Sequence, residues 1–138
     1  MLADDDYDEA ELFNEALAGS NVSVDFHHVP NGQSIFQFLG STLQRKPDII
    51  FLDINMPEMN GWQCLTKLKS HDDYKPIPVI VYSTSSYSRD KEMAKELGAL
   101  GFLPKPTEFN FLVKALTRIA NTTTSIDLKK VLQEITIH

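Results

Sequence analysis

Residues 49–53 read Ile49-Ile50-Phe51-Leu52-Asp53, four apolar side chains in a row closed by a carboxylic acid. A continuous apolar run this short predicts a strand buried on both faces, as at the centre of a parallel sheet. Downstream, Val79-Ile80-Val81-Tyr82 repeats the pattern and ends at Ser83 and Thr84, and Phe102-Leu103 gives a short strand followed by Pro104 and Lys105. Amphipathic segments alternate with these runs. Phe109, Leu112, Val113, Leu116 and Ile119 form a helical stripe, a helix spans about Trp62 to Lys69 after a loop with Pro57 and Gly61, and another stops near Gly98. Upstream, Leu12, Phe13, Ala16 and Leu17 share a helical face that Gly19 ends. Val22, Val24 and Phe26 alternate as in a strand with one buried face, and Pro30-Asn31-Gly32 turns the chain. Ile35, Phe36, Leu39 and Leu43 then give a helix that ends before Pro47. Strands alternating with helices imply an α/β fold, a doubly wound parallel sheet with helices on both faces.

Composition narrows the function. The chain has 138 residues, 42% hydrophobic and 23% charged, which suits one soluble domain. With 13 basic and 19 acidic residues the net charge is −6. A nucleic-acid surface normally shows a basic patch, so nucleic acid is not an expected partner. The single cysteine, Cys64, allows no internal disulfide and fits a reducing compartment. No apolar stretch approaches the ~20 residues that span a membrane. Met1-Leu2-Ala3-Asp4 lacks the basic and apolar regions of a signal peptide. The expected location is the cytoplasm, with no membrane partner.

In such a sheet, ligands sit at the carboxyl ends of the strands. Asp4 and Asp5 follow the stub Met1-Leu2-Ala3, Asp53 ends the run at 49–52, Ser83 and Thr84 end the run at 79–82, and Lys105 follows Phe102-Leu103. Carboxylates packed together repel, and a divalent cation relieves the repulsion. Mg²⁺ takes oxygen ligands and binds through few carboxylates, keeping positions for water and phosphate. A carboxylate can also act as a nucleophile and form an aspartyl phosphate. The metal and a lysine would then neutralise charge on the transferring phosphoryl group.

Leu52-Asp53-Ile54-Asn55-Met56-Pro57-Glu58-Met59-Asn60-Gly61 resembles the phosphoacceptor loop of response-regulator receiver domains. Asp4-Asp5 resembles their acidic pair, Val81-Tyr82-Ser83-Thr84 their strand ending in a switch hydroxyl, and Phe102-Leu103-Pro104-Lys105-Pro106 their Lys-Pro strand end. The resemblance runs from about Leu2 to Ala120. It implies a flavodoxin-like (βα)5 sheet of strand order 2-1-3-4-5 in three layers, with a receiver domain over 1–121. It also implies roles. Asp53 is the phosphoacceptor, and Asp5 and Asp53 bind Mg²⁺ with the main-chain carbonyl of Asn55, Asp4 acting partly through water. Ser83 is the switch hydroxyl, with Thr84 its rival. Lys105 contacts the phosphoryl group, Phe102 is the aromatic that swings inward, and the Lys105–Pro106 bond is cis. Asn55 and Ser85 flank the water that hydrolyses the phosphoryl group. A sensor histidine kinase or histidine phosphotransfer protein supplies the phosphoryl group, and a downstream protein target reads the result.

Two features depart from the resemblance. Only three residues precede Asp4, so the first strand, expected at the centre of the sheet, is short. Residues 122–138 form an extension in which Thr122-Thr123-Thr124-Ser125 reads as a loop ending in an N-cap. Apolar positions 126, 128, 131, 132 and 135 then make a short amphipathic helix, which packs on its own domain, on a second subunit in a homodimer, or on another protein. His27 and His28, adjacent on a strand, point to opposite faces and do not chelate one metal.

Other functions fit less well. An aspartate-nucleophile phosphohydrolase needs a general acid two residues after the nucleophile, where this chain has Asn55. A flavodoxin-like nucleotide binder needs a first loop that accepts phosphate, and the loop from Asp4 to Glu9 repels it. A receiver unable to accept phosphate would lack a required side chain, and all are present.

Overall fold

Successive residues of a strand point to opposite faces of its sheet, and here both faces are apolar. Leu52, Val79 and Val81 bury on one side, and Phe51, Ile80 and Tyr82 on the other. Both faces therefore need a helical cover. The structure, a computed structural model, describes residues 1–41, 45–84 and 88–137. In chain order it has β1 (Leu2–Ala3), α1 (Tyr7–Ala18), β2 (His28–Val29), α2 (Gly32–Leu39), β3 (Ile50–Leu52), α3 (Gly61–Ser70), β4 (Val79–Ser83), α4 (Ser88–Glu96), β5 (Gly101–Pro104), α5 (Phe109–Ala120) and α6 (Ser125–Ile137).

The five strands are parallel in the order β2-β1-β3-β4-β5, the expected flavodoxin-like arrangement. One core joins Ile35, Leu39, Cys64, Leu65, Leu68 and Ala94 to the sheet face that carries Phe102, which places α2, α3 and α4 on that side. The other joins Phe13, Ala16, Leu112, Leu116, Leu128 and Leu132 to the opposite face, under α1, α5 and α6. No helix among the described residues is long and apolar enough to cross a membrane.

Three expectations are corrected. The strand expected at Val22, Val24 and Phe26 lies at His28–Val29 instead. Strand hydrogen bonds need a partner: Leu2 N–H donates to the His27 carbonyl at 2.9 Å and Asp4 N–H to the Val29 carbonyl at 3.1 Å, which sets Leu2 beside His28 and Ala3 beside Val29. Phe26 still serves the core by stacking on Phe13, with ring centroids 5.8 Å apart. The first strand is not central: β3 holds the middle of the sheet, and β1 lies between it and the edge strand β2. The Lys105–Pro106 bond is trans. Either isomer of a prolyl bond lies within about 1 kcal/mol of the other; the Lys105 N–H, which precedes that bond, donates to the Ser83 carbonyl at 2.8 Å and continues the β4–β5 pairing.

The extension packs on its own domain. Thr124 Oγ1 accepts from Asp127 N–H at 3.1 Å and caps α6. Leu128 and Leu132 enter the α1–α5 core, while Ile126 stays 82% exposed. Leu132 presses on β5 at Gly101, where an added Cβ would lie 2.7 Å from the leucine Cδ1. Leu43, Ser85 and Ser86 fall outside the described residues.

Candidate functional site

Backbone pairing brings the site together. Asp53 N–H donates to the Ala3 carbonyl at 2.9 Å, and Asp4 N–H donates to the Val29 carbonyl at 3.1 Å. The acids that follow β1 and β3 therefore share one sheet edge. The bond from Lys105 N–H to Ser83 ties the end of β5 to the end of β4. Loop direction is fixed by side chains and by close packing. Asp4 Oδ1 accepts from Asp6 N–H at 2.9 Å, and Asp53 Oδ1 accepts from Asn55 N–H at 3.1 Å. Gly61 lies so close to the loop that a Cβ there would sit 2.4 Å from Ile54 Cα and 2.5 Å from the Asp53 carbonyl oxygen. Asn60 and Gln63 then cap α3 reciprocally, with Trp62 half-buried one residue into the helix.

Lys105 is the hub. Its Nζ lies 2.9 Å from Asp4 Oδ2, 3.4 Å from Asp53 Oδ2 and in contact with Glu9 Oε2. It also sits 5.4 Å from the centroid of the Tyr82 ring. Burial opposes the Lys105 charge, but hydrogen bonds to Glu9 and Asp4 and the charges of Asp53 and Asp4 outweigh it, and its pKa rises above the ordinary lysine value. Burial is also the largest influence on Asp53. Together with the nearby Asp4 charge it pushes the carboxyl up to about 6, against the Asn55 N–H and Lys105, which pull it down. Burial raises Glu9 as well, against its contact with Lys105.

The structure brings together Asp4, Asp53 and Lys105 from the residues singled out by sequence. Ser83 is fully buried at the end of β4, and Phe102 is buried in the α2–α4 core. Asp5, Asn55 and Thr84 are exposed, and the Asp5 carboxylate is not in the cluster. Glu9 was missed. Asp8-Glu9 reads as part of a solvated acidic run, yet Asp6 caps α1 by accepting from the N–H groups of Asp8 and Glu9. That cap turns the first helical turn toward the strand ends. An acid one turn into a helix that begins at the acidic pair is the signal that would have found it. His28 is structural: its Nε2 lies 2.7 Å from the Asp4 carbonyl oxygen, and Tyr7 meets its ring edge-on.

Carboxylate oxygens of Asp4, Glu9 and Asp53 lie within 4.8 Å of one another. With all groups ionised, three negative charges face the one positive charge of Lys105. The remainder of −2 is what a divalent cation cancels, and oxygen donors suit a hard cation. The cluster fits such an ion.

A family model described as the response regulator receiver domain matches residues 1–117. The chain belongs to the response regulator receiver domain family. The receiver is 28% identical to response regulator Rcp1 of Synechocystis sp. over 123 residues, 86% of this chain and 84% of Rcp1. The Mn(2+)-bound form of Rcp1 superposes with a TM-score of 0.78 at 27% identity, covering 89% of the receiver and 94% of that chain. The phosphorylated cyanobacterial phytochrome response regulator RcpA gives 0.79 at 30% identity, with the same coverage. Protein PilH of Pseudomonas aeruginosa is 36% identical over 76 residues, 55% of the receiver. The receiver spans 63% of PilH, under two thirds of its length.

Proposed function

We propose that the receiver is a phosphorylation-controlled switch in a two-component phosphorelay. Asp53 takes a phosphoryl group from a phosphohistidine of a sensor histidine kinase or histidine phosphotransfer protein. The observation that carries this reading is the placement of Lys105 Nζ between Asp53 and Asp4 at the carboxyl edge of the sheet. Asp53 is the nucleophile. Lys105 is the fixed cation that meets the charge on the transferring group. Asp5, Asp53 and the Asn55 carbonyl would hold Mg²⁺, with Asp4 acting partly through water, and the ion would further neutralise the phosphoryl oxygens. Asp5 and Asn55 are exposed, so neither carries the burial cost that Asp4 and Asp53 bear before an ion arrives. Burial supports Ser83 over Thr84 as the switch hydroxyl. Phe102, on the next strand, passes the change to the surface formed by α4 and β5, where a downstream protein target binds. Residues 1–121 form the receiver domain and 122–138 an extension. The setting is the cytoplasm.

The test is incubation with acetyl phosphate and Mg²⁺, followed by intact-protein mass spectrometry. One phosphoryl adduct is expected, absent from Asp53→Asn and from metal-free samples. An adduct that survives Asp53→Asn would overturn the assignment of Asp53.

A further inference from the structure

Lys105 has three ammonium protons and no acceptor, and its three carboxylate contacts account for all of them. Its side chain is 10% exposed, so little water competes. The contacts are unequal. Glu9 is in contact, Asp4 lies at 2.9 Å, and Asp53 is the farthest at 3.4 Å. The ammonium is drawn toward α1 and away from the nucleophile.

We infer that Glu9 is a positioning residue that holds Lys105 back from Asp53, and that an incoming phosphoryl group must draw the ammonium off Glu9. This rests on Asp53 being the phosphoacceptor. In the transfer, one Asp53 oxygen bonds to phosphorus as the bond from phosphorus to the donor's leaving group breaks, the electron pair departing with that group. Charge is spread over the phosphoryl oxygens, and every Lys105 contact with them replaces one with a carboxylate. The two anchoring acids differ in what release costs them. The Asp4 side chain is fully buried and would be left without its cation in a dry site. The Glu9 side chain is 37% exposed and returns to water. Glu9 is therefore the partner that lets go, and its grip weakens engagement of the donor.

The test measures initial phosphorylation rate against acetyl phosphate concentration at saturating Mg²⁺, by intact mass, for the parent, Glu9→Gln and Asp8→Asn. Asp8 is an exposed acid on the same helical turn, so its variant removes the same charge outside the Lys105 cluster. Glu9→Gln is expected to lower the half-saturating donor concentration about fivefold, the factor for a partly exposed ion pair. Asp8→Asn should match the parent. A half-saturation in Glu9→Gln that is unchanged, raised or equal to that of Asp8→Asn overturns the inference. A parent that takes up no phosphoryl group overturns the phosphoacceptor reading itself, and the inference with it.

Discussion

Asp53 is buried beside another acid, and its carboxyl titrates near 6 rather than in the ordinary carboxylate range. A folded-state value above the unfolded one means that the residue favours folding most at low pH. That contribution is present below about 4 and is lost as pH rises through about 6. Asp53→Asn is therefore expected to be more stable than the parent at pH 8 without divalent cations, by about 1 to 2 kcal/mol. The gap should close as pH falls to about 4, and urea midpoints across that range would check it. A variant no more stable than the parent at pH 8 would mean that Lys105 already offsets the burial. Asp4, Asp53 and Lys105 were legible in the sequence because each directly follows an apolar run, and strand ends of a parallel sheet share an edge. Glu9 was not, because helix capping by Asp6 aims it, and a run of acids does not disclose which member caps.

Strong elements could be read from their own residues. The stripe from Phe109 to Ile119 and the runs at 49–52 and 79–82 carry enough apolar surface to declare their type, and α5, β3 and β4 form there. β2 could not be read this way, because its position depends on where β1 offers hydrogen-bond partners, a relation between distant segments. α6 was readable as a helix from its apolar spacing and from a loop at 122–125 that ends in a capping residue, though the cap is Thr124 and Ser125 already lies in the helix, and its docking site depends on shape at β5. Gly101 leaves room for Leu132, and the pair should behave as one unit. Leu132→Ala is expected to cost about 2 to 5 kcal/mol through the lost burial and the cavity, and Gly101→Ala about 1 to 3 kcal/mol through overpacking. The double variant should be less destabilised than the sum, by at least about 0.5 kcal/mol, because the new methyl group enters the space the leucine leaves. Denaturant unfolding of the four proteins would show it. Additive losses would mean that α6 shifts as a whole and the contact is not shared.

At the scale of the molecule, the sheet is a partition. Leu103 and Tyr82 face the core under α1, α5 and α6, whereas Phe102 faces the core under α2, α3 and α4. A disturbance at the acidic edge that moves Phe102 is delivered to one side only, the side of α4. Alternating runs and stripes predicted the two-sided cover, but assignment of each side chain to a compartment needed the register, since a shift of one residue exchanges the faces. The close seating of Gly61 against Ile54 and Asp53 has an optical consequence. Trp62 is the only tryptophan, it sits on the helical turn clamped to the loop that follows Asp53, and it packs on the Phe102 side of the partition. Its fluorescence is expected to report on the acidic edge without an attached dye. Titration with Mg²⁺ should change the emission along a single saturable curve, and Asp53→Asn should flatten it.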